Sequence, residues 1–135
     1  LIQIVVCTHG GLARELVGTV ELMIGAQAGL AAVCLEMNEG IEDLTCKLQA
    51  VIVPAEAGGG SLLLVDMFGG TPSNVALALS SQYTVKVVTG VNLPMIIEAL
   101  AHRADSSLEN LAALISDKGR KSILLASDLL ARHTA

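Results

Sequence analysis

Apolar and polar positions alternate between two rhythms along this chain. Ile2–Cys7 is a short unbroken β-rich run that ends in Thr8, His9 and a Gly10-Gly11 turn, the pattern of a strand buried on both faces. From Leu12 the spacing changes, and Leu12, Leu16, Val17, Val20, Met23 and Ile24 predict a helix that stops at Gly25. The exchange recurs. Leu30–Met37 predicts a second strand, and Ile41, Leu44, Leu48, Val51 and Ile52 mark a second amphipathic helix. Glu42 and Asp43 suit its positive end, and Pro54 with Gly58-Gly59-Gly60 closes the unit. Ser61–Asp66 is the third strand. Thr71 as N-cap with Pro72 at the first helical position opens the next helix, which carries Val75, Ala76 and Leu79. Thr84–Val88 is the fourth strand, followed by a helix over Asn92–His102 that Pro94 opens and that carries Met95, Ile96 and Leu100. Ser106-x-x-Glu109 has the form of a capping box for a helix with Leu108, Leu111, Leu114 and Ile115. Ser122–Ala126 predicts a fifth strand, and the tail 127–135 carries the least pattern. Four strand–helix alternations predict an α/β fold, a single doubly wound domain over 1–135 with right-handed crossovers.

Composition narrows the class. A length of 135 residues fits one domain with a sizeable core, and 53% hydrophobic against 16% charged residues excludes disorder. With one Phe, one Tyr and no Trp, the core is built from Leu, Val, Ile and Ala. The net charge of −5 comes without a basic stripe, and aromatics for base stacking are missing, so nucleic acid is not an expected partner. Cys7, Cys34 and Cys46 are odd in number and show no metal-ligand spacing. They read as reduced thiols of a cytoplasmic protein. No apolar stretch approaches the length of a membrane span, and the opening run lacks a basic leader.

The chemistry gathers at two strand ends. His9 ends the first apolar run. Asp66 ends the third, ahead of Met67-Phe68-Gly69-Gly70-Thr71-Pro72-Ser73-Asn74. In open α/β sheets ligands bind outside the carboxyl ends of the strands, where chain order reverses. If these strands are neighbours, an imidazole and a carboxylate meet there. A hydrogen bond from one ring nitrogen to Asp66 would fix the tautomer and leave the other nitrogen free to attack. Gly69 and Gly70 before a helix start can present backbone N–H groups to an anion, and the hydroxyls of Thr71 and Ser73 can add donors. Read structurally, Thr71 is only a cap and Asp66 only a turn residue. Together, His9, Asp66 and the Gly-Gly helix start suggest a carrier that takes a phosphoryl group on a ring nitrogen and releases it. Phosphoryl transfer is mainly positioning and charge stabilisation, so no metal or cofactor is expected. A nucleotide-binding loop of the GxxxxGK[ST] form is also missing. His102, at a helix end, and His133, in the tail, read as ordinary surface residues.

Three segments carry a family resemblance: Thr8-His9-Gly10, Val65 to Asn74, and Thr89-Gly90-Val91-Asn92-Leu93-Pro94-Met95. In order and spacing, over roughly the first 115 residues, the chain resembles the mannose-family IIA domain of the bacterial sugar phosphotransferase system. The resemblance implies that His9 is the phosphorylated histidine, Asp66 its orienting aspartate, and Thr71 the hydroxyl after the Gly-Gly pair. It implies an enzyme component, a phosphotransferase that accepts phosphate from the phosphocarrier protein HPr. The phosphoryl group then passes to a IIB domain, and the membrane sugar-uptake complex is met only indirectly. It further implies a strand order of 2-1-3-4 and a homodimer in which Ser122–Ala126 is exchanged as an antiparallel strand. Three other readings stand beside this one: a phosphorylatable domain of a transcriptional regulator, a phosphotransfer subunit of dihydroxyacetone kinase, and a non-enzymatic ligand-binding α/β module.

Overall fold

The computed structural model describes the main chain of residues 1–134 and the side chains of 1–130, so the expectation for His133 lies outside the described side chains. Four strands, β1 (Gln3–His9), β2 (Leu30–Leu35), β3 (Ser61–Val65) and β4 (Val85–Thr89), form one parallel sheet in the order β2-β1-β3-β4. The helices are α1 (Leu12–Ile24), α2 (Ile41–Ala55), α3 (Thr71–Ser80), α4 (Leu93–His102), α5 (Leu108–Lys121) and α6 (Ala126–Thr134), with a short 3-10 turn at Arg103–Asp105.

The alternation of side chains along each strand sorts the core into two layers. Ile4, Val6, Leu62 and Leu64 face one side and are covered by Val17 and Val20 of α1, Ile96 of α4 and Leu111 and Ile115 of α5. Val5, Cys7, Leu63 and Val65 face the other, under Leu44, Leu48 and Ile52 of α2 and Val75 and Leu79 of α3. With both faces covered, all five residues of β3 are buried, which is why the run Ser61–Val65 shows no polar interruption. The chain steps from β1 outward to β2 and then back across β1 to β3. The switch in direction therefore lies between the carboxyl ends of β1 and β3.

At the opposite end of the sheet, Arg103 reaches back to the main chain. Its guanidinium donates to the carbonyls of Ile2 at 3.3 Å, Gly29 at 3.1 Å and Ala28 at 2.6 Å. This one side chain ties the 3-10 turn to the start of β1 and to the loop entering β2.

Several boundaries differ from the sequence expectation. Strand β2 ends at Leu35, short of Met37. Its last rung is the Leu35 carbonyl accepting the Gly10 N–H at 2.8 Å, after which the Glu36–Glu39 turn places Asn38 at φ 72°. Gly70, not Thr71, is the N-cap of α3. Ser107, not Ser106, caps α5, its hydroxyl accepting the Asn110 N–H at 3.1 Å. Ser122–Ala126, expected as a fifth strand, pairs with no strand among the described residues. Part of its main chain is used by the flanking helices: the N–H groups of Ser122 and Ile123 bond back into the end of α5, and the Leu125 carbonyl accepts from Asp128 and Leu129 in α6. Ile123, Leu124 and Leu125 are left exposed.

Candidate functional site

Strand β1 delivers His9 to the switch point, and β3 delivers Asp66 one residue past its end. The β1–β3 ladder stops at Cys7 opposite Val65. Beyond it, Asp66 supplies the missing rung with its side chain: Oδ2 accepts the His9 main-chain N–H at 3.0 Å and also meets the ring Nδ1 at 2.8 Å. The other oxygen, Oδ1, accepts the Met67 N–H at 3.0 Å. A carboxylate only accepts, so Nδ1 is the protonated ring nitrogen and Nε2 keeps its lone pair. The His9 side chain is 46% exposed and that of Asp66 14%. The imidazole is therefore about half open to solvent, while the carboxylate it meets is shielded.

The Gly69-Gly70 pair closes in on that edge. Gly69 has φ 92°, a left-handed conformation that favours glycine. Gly70 has an ordinary φ of −86°, and its need is for space. A Cβ at position 70 would lie 2.6 Å from His9 Cε1 and 3.0 Å from Nε2. The α3 N-terminus thus stands against the imidazole, and the first N–H groups of a helix have no partner within it. Thr71 is the first helical residue and half-buried, with its hydroxyl free of the capping role because Gly70 is the cap. Ser73 departs from the expectation. It is fully buried, and its Oγ has no hydrogen-bond partner among the described residues. It lies on the buried stripe of α3 with Pro72, Val75, Ala76 and Leu79, so in this conformation it presents no donor to an anion arriving from solvent.

Thr8 is the residue whose part in the site sequence reasoning left unassigned. It is fully buried, and its Oγ1 accepts the Ala13 N–H at 2.7 Å while donating to the His9 carbonyl at 3.0 Å. The available signal was a hydroxyl residue inside an otherwise apolar strand. Below the site, Cys7 is buried, and burial first, with the nearby Asp66 charge, pushes its thiol up to about 12. The carboxylates of the neighbouring β2–α2 turn are tied up by cations: Glu36 with Arg14 and Glu39 with Lys47, each at 2.6 Å. Lys47 holds the Glu39 carboxyl below its usual range chiefly by a side-chain hydrogen bond.

The site lies open at the carboxyl end of the sheet. Leu12, Met37, Met67 and Phe68, from three loops and helix starts at this end, are exposed apolar residues. A groove of about 630 Å³ begins at Phe68 and runs along β4 past Val88 and Gly90 to Arg120 and Ile123. No helix among the described residues is long and apolar enough to cross a membrane.

Comparison with known proteins agrees with the fold. The chain is 34% identical over 125 residues to the PTS system mannose-specific EIIAB component of Escherichia coli, a match covering 90% of this chain and 38% of that protein. The chain thus spans well under half the length of that relative. It is 28% identical over 131 residues to the PTS system fructose-specific EIIA component of Bacillus subtilis, covering 96% of this chain and 90% of that one. The crystal structure of the phosphotransferase system component EIIA from Streptococcus agalactiae superposes with a TM-score of 0.89 at 28% identity, covering 95% of this chain and 99% of that one. Residues 3–116 match the EIIA-man family model, described as the PTS system fructose IIA component. With this match over most of its length, on a 2-1-3-4 sheet that sets His9 against Asp66, the chain belongs to the mannose-type EIIA family of the phosphotransferase system.

Proposed function

We propose that this chain is a phosphoryl carrier of a sugar phosphotransferase system, with His9 Nε2 as the atom that holds the phosphoryl group. The observation that carries the reading is the Nδ1–Asp66 hydrogen bond at 2.8 Å, which leaves Nε2 as a free nucleophile on the solvent side. In the forward step the Nε2 lone pair attacks phosphorus, and the P–N bond of a phosphohistidine on HPr breaks. Its electron pair returns to the HPr ring. The His9 ring becomes cationic because Nδ1 keeps its proton, and Asp66 stabilises that charge. The second step runs the same displacement toward a histidine of a IIB domain. The main chain of Gly70 and the start of α3, with Thr71 beside them, border the space the phosphoryl group would fill. Ser73 stays out of that set because it is buried.

Two features support a protein as donor and acceptor. The histidine is too exposed for a site that must enclose a small substrate, and the apolar residues Leu12, Met37, Met67 and Phe68 at the same end suit a docked protein surface. The groove beside edge strand β4, together with the exposed run Ile123–Leu125, supports a homodimer in which that run from one subunit covers the β4 edge of the other. The carrier would work on the cytoplasmic side of a membrane complex that it does not itself enter.

Intact-mass measurement after exposure to phospho-HPr tests the reading. One acid-labile phosphoryl group is expected per chain, and none in His9→Ala. A label that persists in His9→Ala refutes His9 as the acceptor, and an unlabelled wild-type chain refutes the carrier itself.

A further inference from the structure

We propose that Thr8 is a positioning residue for His9, acting through the main chain on the geometry of Nε2; this rests on the carrier reading. The ladder between β1 and β3 runs out at Cys7–Val65, so the polar main-chain groups of His9 that face β3 have no rung to join. Two side chains take their place. Asp66 accepts the N–H at 3.0 Å, and Thr8 Oγ1 donates to the carbonyl at 3.0 Å. His9 is thereby held at three points: its N–H, its carbonyl and its ring Nδ1. The same Thr8 oxygen accepts the Ala13 N–H at 2.7 Å, which joins the carbonyl of His9 to the first turn of α1. The helix cap, Gly11, has no side chain to do this.

The arrangement leaves His9 little freedom. Its ring has Asp66 on the Nδ1 side and the main chain of Gly70 on the Cε1–Nε2 side, close enough that a single methyl group at 70 would collide with it. A rotation of the peptide after His9 would carry the ring out of line with Oδ2 or into Gly70. The hydroxyl of Thr8 resists this rotation at the carbonyl of that peptide, as the Gly10 N–H, bonded to the Leu35 carbonyl at 2.8 Å, does at its other end. Its complete burial removes the competing water that would otherwise weaken both bonds.

The test compares Thr8→Val, which keeps shape and removes both bonds, with Thr8→Ser, which keeps both. Transfer from phospho-HPr is followed by rapid quench, and the protonation of each His9 ring nitrogen by 15N NMR of the unphosphorylated protein. Thr8→Val is expected to transfer at least tenfold more slowly at saturating phospho-HPr, with KM within twofold of wild type. Its ring signals should show both tautomers where wild type shows the Nδ1–H form. Thr8→Ser should stay within twofold of wild type on both readouts. Because Thr8→Val also uncaps α1, Gly11→Ser is added to it to restore a capping oxygen; position 11 has a negative φ of −78°. A folded double variant with wild-type transfer and a single tautomer overturns the proposal, leaving Thr8 as a cap alone. Thr8→Ser as impaired as Thr8→Val also overturns it, and Thr8→Ser decides if neither valine variant folds. If wild type takes no phosphoryl group the carrier reading fails, while the tautomer signals still judge Thr8.

Discussion

Replacing Gly70 with alanine sets a methyl group 2.6 Å from His9 Cε1 and 3.0 Å from Nε2. Non-bonded carbons settle at roughly 3.5–4.0 Å, so one partner must yield by about 1 Å. The backbone has no reason to move, since position 70 already has φ −86° and suits any L-residue. The exposed imidazole yields, and in swinging away it gives up the 2.8 Å contact of Nδ1 with Asp66. A hydrogen bond to a charged group is worth about 1.5–3 kcal/mol. At about 1.4 kcal/mol per factor of ten, phosphoryl transfer should slow by ~10- to ~150-fold. Stability should barely change, because the displaced ring moves into solvent. Rapid-quench transfer from phospho-HPr gives the rate, and thermal unfolding gives the stability. A folded Gly70→Ala protein that transfers within twofold of wild type would refute the claim that Gly70 is there to leave room for the ring.

Four further outcomes follow from the geometry. Asp66→Asn removes the charge that faces Nδ1 and forces an amide into a position now accepting three N–H groups; transfer should fall by about 100-fold, near 3 kcal/mol, in the same quench assay, with the fold retained by circular dichroism. The native protein should expose one thiol, Cys46, to an aromatic disulfide reagent at mildly alkaline pH, and three after denaturation, because Cys7 and Cys34 are buried. The folded-state thiol of Cys7 is raised from the ordinary value near 9.0 to about 12, so its contribution to stability is complete below pH 9 and is lost as pH rises toward 12; denaturant midpoints across that range measure it. Arg103→Ala removes the guanidinium bonds to three main-chain carbonyls, of which Gly29 keeps the Ile4 N–H, and should cost about 1–3 kcal/mol in urea unfolding, while transfer in the remaining folded fraction stays within twofold.

The parts of the fold that the sequence reveals are those where one local signal suffices. The central strands of the sheet are buried on both faces, so Ile4–Cys7 and Leu62–Val65 appear as unbroken apolar runs, and a candidate site residue, His9 or Asp66, follows each within two positions. The parts it conceals depend on what lies across space. Thr71 and Ser106 have the chemistry of caps, yet Gly70 and Ser107 hold the position, because the entry of the chain from β3 and from the 3-10 turn sets where each helix begins. Ser73 shares helical spacing with Ala76 and Leu79, and that stripe is buried; the spacing carried the signal, but the nearby glycines drew the serine into the anion site. The run Ile123-Leu124-Leu125 is too short to separate strand from connector by pattern, and in this chain its two ends bond to the helices on either side.

The openness of the site bears on how long a carrier can hold what it carries. A phosphoryl group on a half-exposed ring is within reach of water, and the site has no wall to keep water away. Its lifetime then depends on whether any neighbour can draw a proton from that water. Asp66 has its oxygens engaged by three N–H groups, and Glu36 and Glu39 are each held by a cation. The nearby carboxylates are thus spoken for. Such a surface would keep an energy-rich bond by leaving its solvent without a base, and would surrender it only to a partner that brings its own nucleophile.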